Sequence, residues 1–462
     1  MTTIQVVEVA RVTPAAVESD SVLNSAHSLT IPLTFFDLPW LMLNPVKRVF
    51  FYKITALTRE HFHYSILPKL KLSFSLVLRS YLPLSGRITW DPNEPKPSIV
   101  VSENDAVSVT VAETRADFSL LSGYGQRPAS DVHALIPELP VSIDSATVLS
   151  IQITLFPGDG FSVGVAAHHG VSDGKTSTMF IKAWAHLCKL DNNAVSLPAN
   201  LTPSFDRSLV NVNDLTELDE EMIQIVTFLR KDKTKTRSLC PNPGREIGDD
   251  VVLATLVLTR DNVERLRERA KSESTDGSLL LHLSTFVIAY AYAWTCLVKA
   301  RGGEGDRSVS FLLGGDFRER LDPPLPATYF GNCIFTVGSY KRKAEDFSGE
   351  RGFVTAVEII GDLVKGLSSR KIDTIAEEFK IGFDSIGESS QIGSVAMSNR
   401  FGVYESDFGW GRPVKVDVVS IRGDGISMAE KRDESGGLEI GMCMKKPDLD
   451  IVLALFNSGL QN

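Results

Sequence analysis

Apolar residues along this chain fall into two rhythms, one of period two and one near 3.6, and the changes between them lay out its elements. Alternation over 148–156 (Val-Leu-Ser-Ile-Gln-Ile-Thr-Leu-Phe) breaks at Pro157-Gly158-Asp159-Gly160 and resumes over 161–168, which predicts a β-hairpin. The period then changes: Met179, Phe180, Ala183, Trp184 and Leu187 share one face of a helix that Asp173 or Ser172 can cap. A helix is likewise predicted over 67–81, with Leu70, Phe74, Val77, Leu78 and Tyr81 inward and Pro83 and Gly86 ending it. Residues 33–41 form an aromatic loop, 49–53 a buried strand, and 1–10 alternate like a strand.

From 192 to about 250 the chain turns polar, with Pro198, Pro203, Pro241, Pro243 and a basic run over 230–237, as suits a crossover linker with a surface helix. A second block follows: a strand over 251–258, a helix over 259–272 opened by Thr259-x-x-Asn262, a strand over 309–313 and a helix over 353–367. Paired strands over 414–420, 426–429 and 438–445 precede a closing helix over 448–460. Strands and helices are mixed without a regular strand-helix-strand beat, so the expected class is mixed α/β.

Residues 279–298 carry no charge over about one bilayer width. His282, Ser284, Thr285, Tyr290, Tyr292, Trp294 and Thr295 are costly in lipid but easily satisfied inside a protein, so a buried core helix is expected. With 462 residues the chain exceeds what one core usually serves, and two domains are anticipated. A net charge of −9 without a basic arm argues against nucleic acid, which requires clustered Lys and Arg. Five scattered cysteines include no Cys-x-x-Cys pair, which disfavours a disulfide framework or structural zinc and fits a reducing cytoplasm. The N-terminus lacks the basic start and apolar core of a signal peptide.

The chemistry concentrates in His168-His169-Gly170-Val171-Ser172-Asp173-Gly174. His-x-x-x-Asp-Gly places a titratable imidazole on a tight turn between strand and helix, a rigid address for a general base, and His169 is the candidate. His168 reads as structural, and His61-x-His63 as a surface pair; with His27, His133, His186 and His282 they show no metal-ligand spacing, so no metal is expected. Gly170 and Gly174 suit a sharp turn and close backbone approach. Asp407-Phe408-Gly409-Trp410-Gly411 lacks the spacing of a nucleotide-binding loop and reads as a packed structural turn.

In order along the chain, Phe35-Phe36-Asp37, Leu82-Pro83-Leu84-Ser85-Gly86, the His169 motif, Asp316-Phe317-Arg318 and 407–411 resemble the plant BAHD acyltransferases. Tyr329-Phe330-Gly331-Asn332-Cys333 resembles the marker of the branch that acylates anthocyanin and other phenolic glucosides, and 46–52 with Asp173-Gly174-Lys175 resemble its malonyl-transferring members. The resemblance implies a cytoplasmic monomer of two similar acyltransferase domains, placed here at 1–195 and 251–462 and joined by a crossover over 196–250. A channel between them would admit donor and acceptor from opposite faces, and part of the chain beyond the crossover would pack back onto the first domain. The implied reaction carries malonyl from malonyl-CoA, a co-substrate rather than a bound cofactor, to a sugar hydroxyl of a phenolic or flavonoid glucoside. A hydroxycinnamoyl-CoA donor such as coumaroyl-CoA is the alternative, and a silent glycoside- or acyl-CoA-binding protein is a third reading, against which the intact His169 motif argues.

The resemblance also assigns roles. Asp173 turns from the site to pair with Arg318, while Asp407, Gly409, Trp410 and Gly411 support the channel from a distance. Ser398 is the oxyanion candidate, in a segment reading Ala-Met-Ser-Asn where relatives commonly show Ala-Gly-Ser-Pro. Coenzyme A phosphates call for a local basic mouth on an acidic protein, with Lys271 and Ser272 after Arg265, Arg267 and Arg269 as candidates and Ser284 and Thr285 nearer the pantetheine. Lys175 and Arg400 are the candidates for the malonyl carboxylate.

Overall fold

The hairpin forms as the antiparallel strands Leu149–Phe156 and Gly160–Ala167, with Phe161 opposite Leu155 and Val163 opposite Ile153. Almost every residue of both is buried, because they are the central strands of a six-stranded sheet with an apolar cluster on each face. The sheet runs Ile4–Val12, Val107–Thr114, Leu149–Phe156, Gly160–Ala167, Val46–Lys53, Lys415–Val418. The computed structural model describes residues 3–16, 29–91, 93–190, 196–210, 216–229, 237–242, 247–274, 282–370, 372–387 and 389–461.

A seven-stranded sheet runs Ile334–Lys343, Ser308–Asp316, Gln391–Ala396, Gly425–Glu430, Leu438–Lys445, Val251–Leu258, Arg127–Pro128. A small third sheet joins Leu29–Pro32, Ser98–Val101, Arg87–Thr89 and Ser145–Thr147. The architecture is mixed α/β, as the interleaved rhythms anticipate. Helices over Leu67–Ser80, Arg260–Glu273, Gly352–Gly366 and Lys446–Gly459 lie within a few residues of their expected bounds. Thr259 and Asn262 close a reciprocal capping box at the second of these.

Two expectations need correction. Residues 414–420 do not pair with 426–429: Lys415–Val418 crosses to the first sheet beside Val46–Lys53, with Val416 opposite Phe50. Period alone cannot say which apolar edge a strand joins. The uncharged stretch yields a helix only over Thr285–Arg301, because Ser284 caps it; residues 279–281 lie outside the described residues. Its residues 287–298 are buried, and among the described residues no helix is long and apolar enough to cross a membrane. Neither Gly170 nor Gly174 takes a positive φ. Gly174 serves the close approach expected of it: a Cβ there would lie 2.7 Å from the Phe401 ring.

The exchanged Lys415–Val418 has a counterpart, since Arg127–Pro128 joins the second sheet beside Val251–Leu258. Where the two segments meet, buried Arg127 Nη1 lies 2.5 Å from Asp417 Oδ2, and Lys415 Nζ lies 2.9 Å from Glu439 Oε2. Charges removed from water need such partners. Of the polar crossover, 216–228 forms a surface helix, Thr216–Phe228; residues 230–236 of the basic run and Pro243 lie outside the described residues, as does His27.

Candidate active site

The strand Gly160–Ala167 delivers the chain to a turn at 168–173, after which Asp173 starts the helix Gly174–Lys189 by accepting from Thr176 N at 2.9 Å. His168 is 2% exposed, and its Nδ1 accepts from Gly170 N at 3.1 Å. Burial, with some help from neighbouring His169, pushes its imidazole down to about 4, so it is a neutral acceptor that shapes the turn.

His169 keeps partial exposure. Its ring lies flat against Trp40, with centroids 4.4 Å apart and planes 10° from parallel. Burial lowers its pKa from the ordinary imidazole value, against the opposing pull of its own carbonyl, the Asp173 charge, the Asn332 side chain and the Asp37 charge. At neutral pH the ring is therefore uncharged, the form in which an imidazole accepts a proton.

Asp173 and Arg318 meet: Nη1 lies 2.7 Å from Oδ2, and each side chain is 1% exposed. Burial alone would raise the Asp173 carboxyl, but Arg318 and the amides of Thr176 and Cys333 hold it below the usual carboxylate range. Arg318 Nη2 also donates to Thr176 Oγ1 at 3.0 Å and to Gly331 O at 3.1 Å. The aspartate is thus fully engaged away from the imidazole, binding the His169 turn to the segment 329–333.

Asp37 sits behind both. It is fully buried; Oδ2 accepts from Thr34 N and Oγ1, and Oδ1 accepts from Asn332 N at 2.9 Å and Nδ2 at 3.0 Å. Arg207 Nη2 lies 3.8 Å from Oδ2, and that guanidinium also binds Tyr329 Oη and Phe330 O. Phe36, one residue before Asp37, packs edge-on against Phe335 at 5.7 Å, so the aromatic loop docks the first sheet's side of the chain onto the second sheet. Trp40 follows on the short turn Leu38–Met42. The sequence motifs contain Asp37, Trp40 and Asn332 without assigning them a role, and Arg207 lies outside every motif. No periodicity marks them, because their importance lies in contacts across 120 to 300 residues of chain.

The remaining candidates scatter. Asp407 Oδ1 accepts from Gly409 N and Gly411 N, both glycines having positive φ (+108° and +99°), and Oδ2 pairs with Lys189 Nζ at 2.7 Å. Phe408 is buried against Trp184 and Tyr52, and Trp410 meets Phe161 edge-on. Lys189 ends the sixteen-residue helix that begins beside Asp173, so this turn lies about 20 Å of helix away from the His169 end.

Ser398 follows the strand Gln391–Ala396; its Oγ accepts from Arg400 N, and neighbouring Met397 has φ +68°. Met397 and Phe401 both approach Gly174, which brings this segment to the start of the His169 helix. Lys175 Nζ lies 3.7 Å from Asp316 Oδ2, and Arg400 is exposed. Lys271 pairs with Glu268 at 2.7 Å, and Ser272 Oγ donates to Arg269 O. Ser284 Oγ caps its helix by accepting from Val287 N, and Thr285 Oγ1 accepts from Arg267.

Comparison with known proteins places the chain in a family. The model of the Transferase family matches residues 8–454. The chain is 65% identical to phenolic glucoside malonyltransferase 2 of Arabidopsis thaliana over 100% of both chains. It is 45% identical to agmatine coumaroyltransferase of the same organism, covering 99% of this chain and 100% of that one. The crystal structure of vinorine synthase shares the fold, with a TM-score of 0.69 at 20% identity over 98% of each chain.

Proposed function

The chain belongs to the Transferase family of BAHD acyltransferases, and on that premise we propose that it moves malonyl from malonyl-CoA to a sugar hydroxyl of a phenolic or flavonoid glucoside, with His169 as the general base. The observation that carries the reading is a neutral, partly exposed imidazole held flat against Trp40 at a strand-to-helix turn. Similarity to a phenolic glucoside malonyltransferase along the whole chain supports the choice of donor and acceptor.

A sugar hydroxyl attacks a thioester poorly unless its proton leaves as the new bond forms. His169 takes that proton, the hydroxyl oxygen bonds to the thioester carbon, and charge gathers on the carbonyl oxygen. Ser398 or its neighbouring amides receive that charge. Collapse breaks the carbon–sulfur bond, and the imidazolium returns the proton to the departing thiolate, giving a malonyl ester and free coenzyme A. Asp173 and Arg318 hold the turn rather than the proton. Lys175 and Arg400 are the cations assigned to the malonyl carboxylate, Lys271 and Ser272 to coenzyme A phosphates, and Ser284 and Thr285 to the pantetheine. Domains over 1–195 and 251–462, a substrate channel between them, a monomeric state and a cytoplasmic location belong to the same proposal.

The test is release of free thiol from malonyl-CoA in the presence of a flavonoid or phenolic glucoside. Wild type is expected to turn over and His169→Ala to lose at least about a hundredfold in rate. Equal, negligible rates for both with every donor tried would overturn the enzyme reading. A coumaroyl donor is the second reading, favoured by the similarity to a coumaroyltransferase; coumaroyl-CoA replaces malonyl-CoA in the same assay.

A further inference from the structure

Among the described residues five Lys or Arg side chains are buried: Arg48, Arg127, Arg207, Arg318 and Lys415. The last four each have a carboxylate within 3.8 Å, from Asp417, Asp37, Asp173 and Glu439 respectively. Arg48, 2% exposed, has no carboxylate beside it; among the described residues its hydrogen bond runs from Nη1 to Thr178 Oγ1 at 3.1 Å. That hydroxyl donates its own proton to Gly174 O at 2.7 Å, so the guanidinium is tied to a neutral group at the start of the helix Gly174–Lys189. The Phe50 ring, 5.8 Å from Cζ, replaces little of the lost hydration. Burial lowers the Arg48 pKa to about 10, with no carboxylate pulling the other way. A buried cation is costly unless paired, and this one lacks its partner.

The partner has a place. Arg48 lines a cavity of about 10 Å³, room for about one water-sized group, together with Ala167, Ser172, Thr176, Ser177 and Phe180. Ala167 and Ser172 flank His169 by two and three residues, so the cavity lies beside the turn that carries the imidazole. Ala167 and Ser177 are partly exposed and mark its open side. Thr176 and Ser177 belong to the first turn of a sixteen-residue helix, whose dipole favours an anion. The neighbouring charges cancel, since Asp173 pairs with Arg318 and Lys175 with Asp316.

We propose that Arg48 is a specificity-determining residue that binds the free carboxylate of the malonyl donor, one carboxylate oxygen entering the cavity to complete the ion pair that the fold leaves open. The proposal deepens the transferase reading and rests on it. The malonyl carboxylate stands two bonds from the thioester carbon, so the cation that reads it must sit beside the reacting centre, as this cavity does. Lys175, already paired with Asp316, and exposed Arg400 supply no desolvated charge there. A charge-assisted hydrogen bond in a desolvated site is strong, and a donor that lacks the carboxylate leaves Arg48 unpaired. An acetyl or coumaroyl end carries no anion, and the coumaroyl ring exceeds the space.

Calorimetric titration of the full chain with malonyl-CoA and with acetyl-CoA reads this without turnover. Wild type is expected to bind malonyl-CoA at least about tenfold more tightly, and Arg48→Met to lose that margin. Because methionine removes an unpaired buried charge, the unfolding midpoint of the free variant should equal or exceed that of wild type. Arg48→Gln replaces it if the methionine variant does not accumulate. Equal affinities in wild type, or a margin that survives either substitution, overturn the proposal. So does a rise in the wild-type midpoint in sodium chloride over sodium gluconate that Arg48→Met abolishes while the donor margin stays, since the cavity then holds a free anion. The two readings fail separately. An Arg48-dependent margin without thiol release from any donor sinks the transferase reading alone, and thiol release from malonyl-CoA with a margin independent of Arg48 sinks this one alone.

Discussion

Asp173 Oδ2 and Arg318 Nη1 lie 2.7 Å apart, 145 residues apart in sequence, with both side chains 1% exposed. One residue starts the helix behind the His169 turn, and the other follows the strand Ser308–Asp316 of the second sheet. The bond therefore ties the turn to the opposite sheet.

Arg318→Ala leaves the Asp173 carboxylate buried without its cation, and a loss of about 3–5 kcal/mol in unfolding free energy is expected. Denaturant titration measures it. A change below about 1 kcal/mol would show that the pair does not hold the turn.

Trp40→Ala removes the ring that covers one face of His169. Burial is what lowers the imidazole pKa, so admitting water raises it toward the ordinary value. The acid limb of kcat/KM should move to higher pH. A profile superimposable on wild type would contradict the stacking role.

His168 supplies a pH dependence of stability. Its pKa is about 4 folded against 6.5 in the unfolded chain, so the unfolded state binds more protons between those values and stability falls as pH drops from about 6.5 towards 4. The full effect is on the order of 3 kcal/mol. Unfolding midpoints at pH 7.5 and pH 4.5 test it, and His168→Asn should flatten the difference.

Asp407→Ala loses two backbone amide bonds and the Lys189 pair at a site remote from His169. A stability loss of about 1–2 kcal/mol is expected, with the chemical step retained in the protein that stays folded. An unchanged melting temperature combined with a lost chemical step, followed as thiol release in a single turnover, would overturn this assignment.

Local pattern carried much of the fold. The hairpin at 149–167, the helix Gly174–Lys189 with its Asp173 cap and the capping box at Thr259 are all legible, because period, turn residues and caps act over a few neighbouring positions. The strands Val107–Thr114 and Ile334–Lys343 stand out by no turn or cap signal in the sequence although each is eight or more residues long, and Lys415–Val418 pairs with a different sheet from the one its neighbours in sequence suggest. Alternation states that a strand has an inner face; it does not state which neighbour supplies the edge hydrogen bonds.

By itself, then, the chain determined where an imidazole would stand on a strand-to-helix turn, since that needs only a hairpin, a capping aspartate and a helix that follow one another. Tertiary structure alone decided what surrounds it. Trp40 covers the ring, Asp173 faces Arg318, and Asn332 lies between Asp37 and His169, because packing brings together segments that no local rule connects. The environment of His169 is set by desolvation and by the orientation of buried donors and acceptors, properties that exist only once the two sheets have closed on the loop at 33–42.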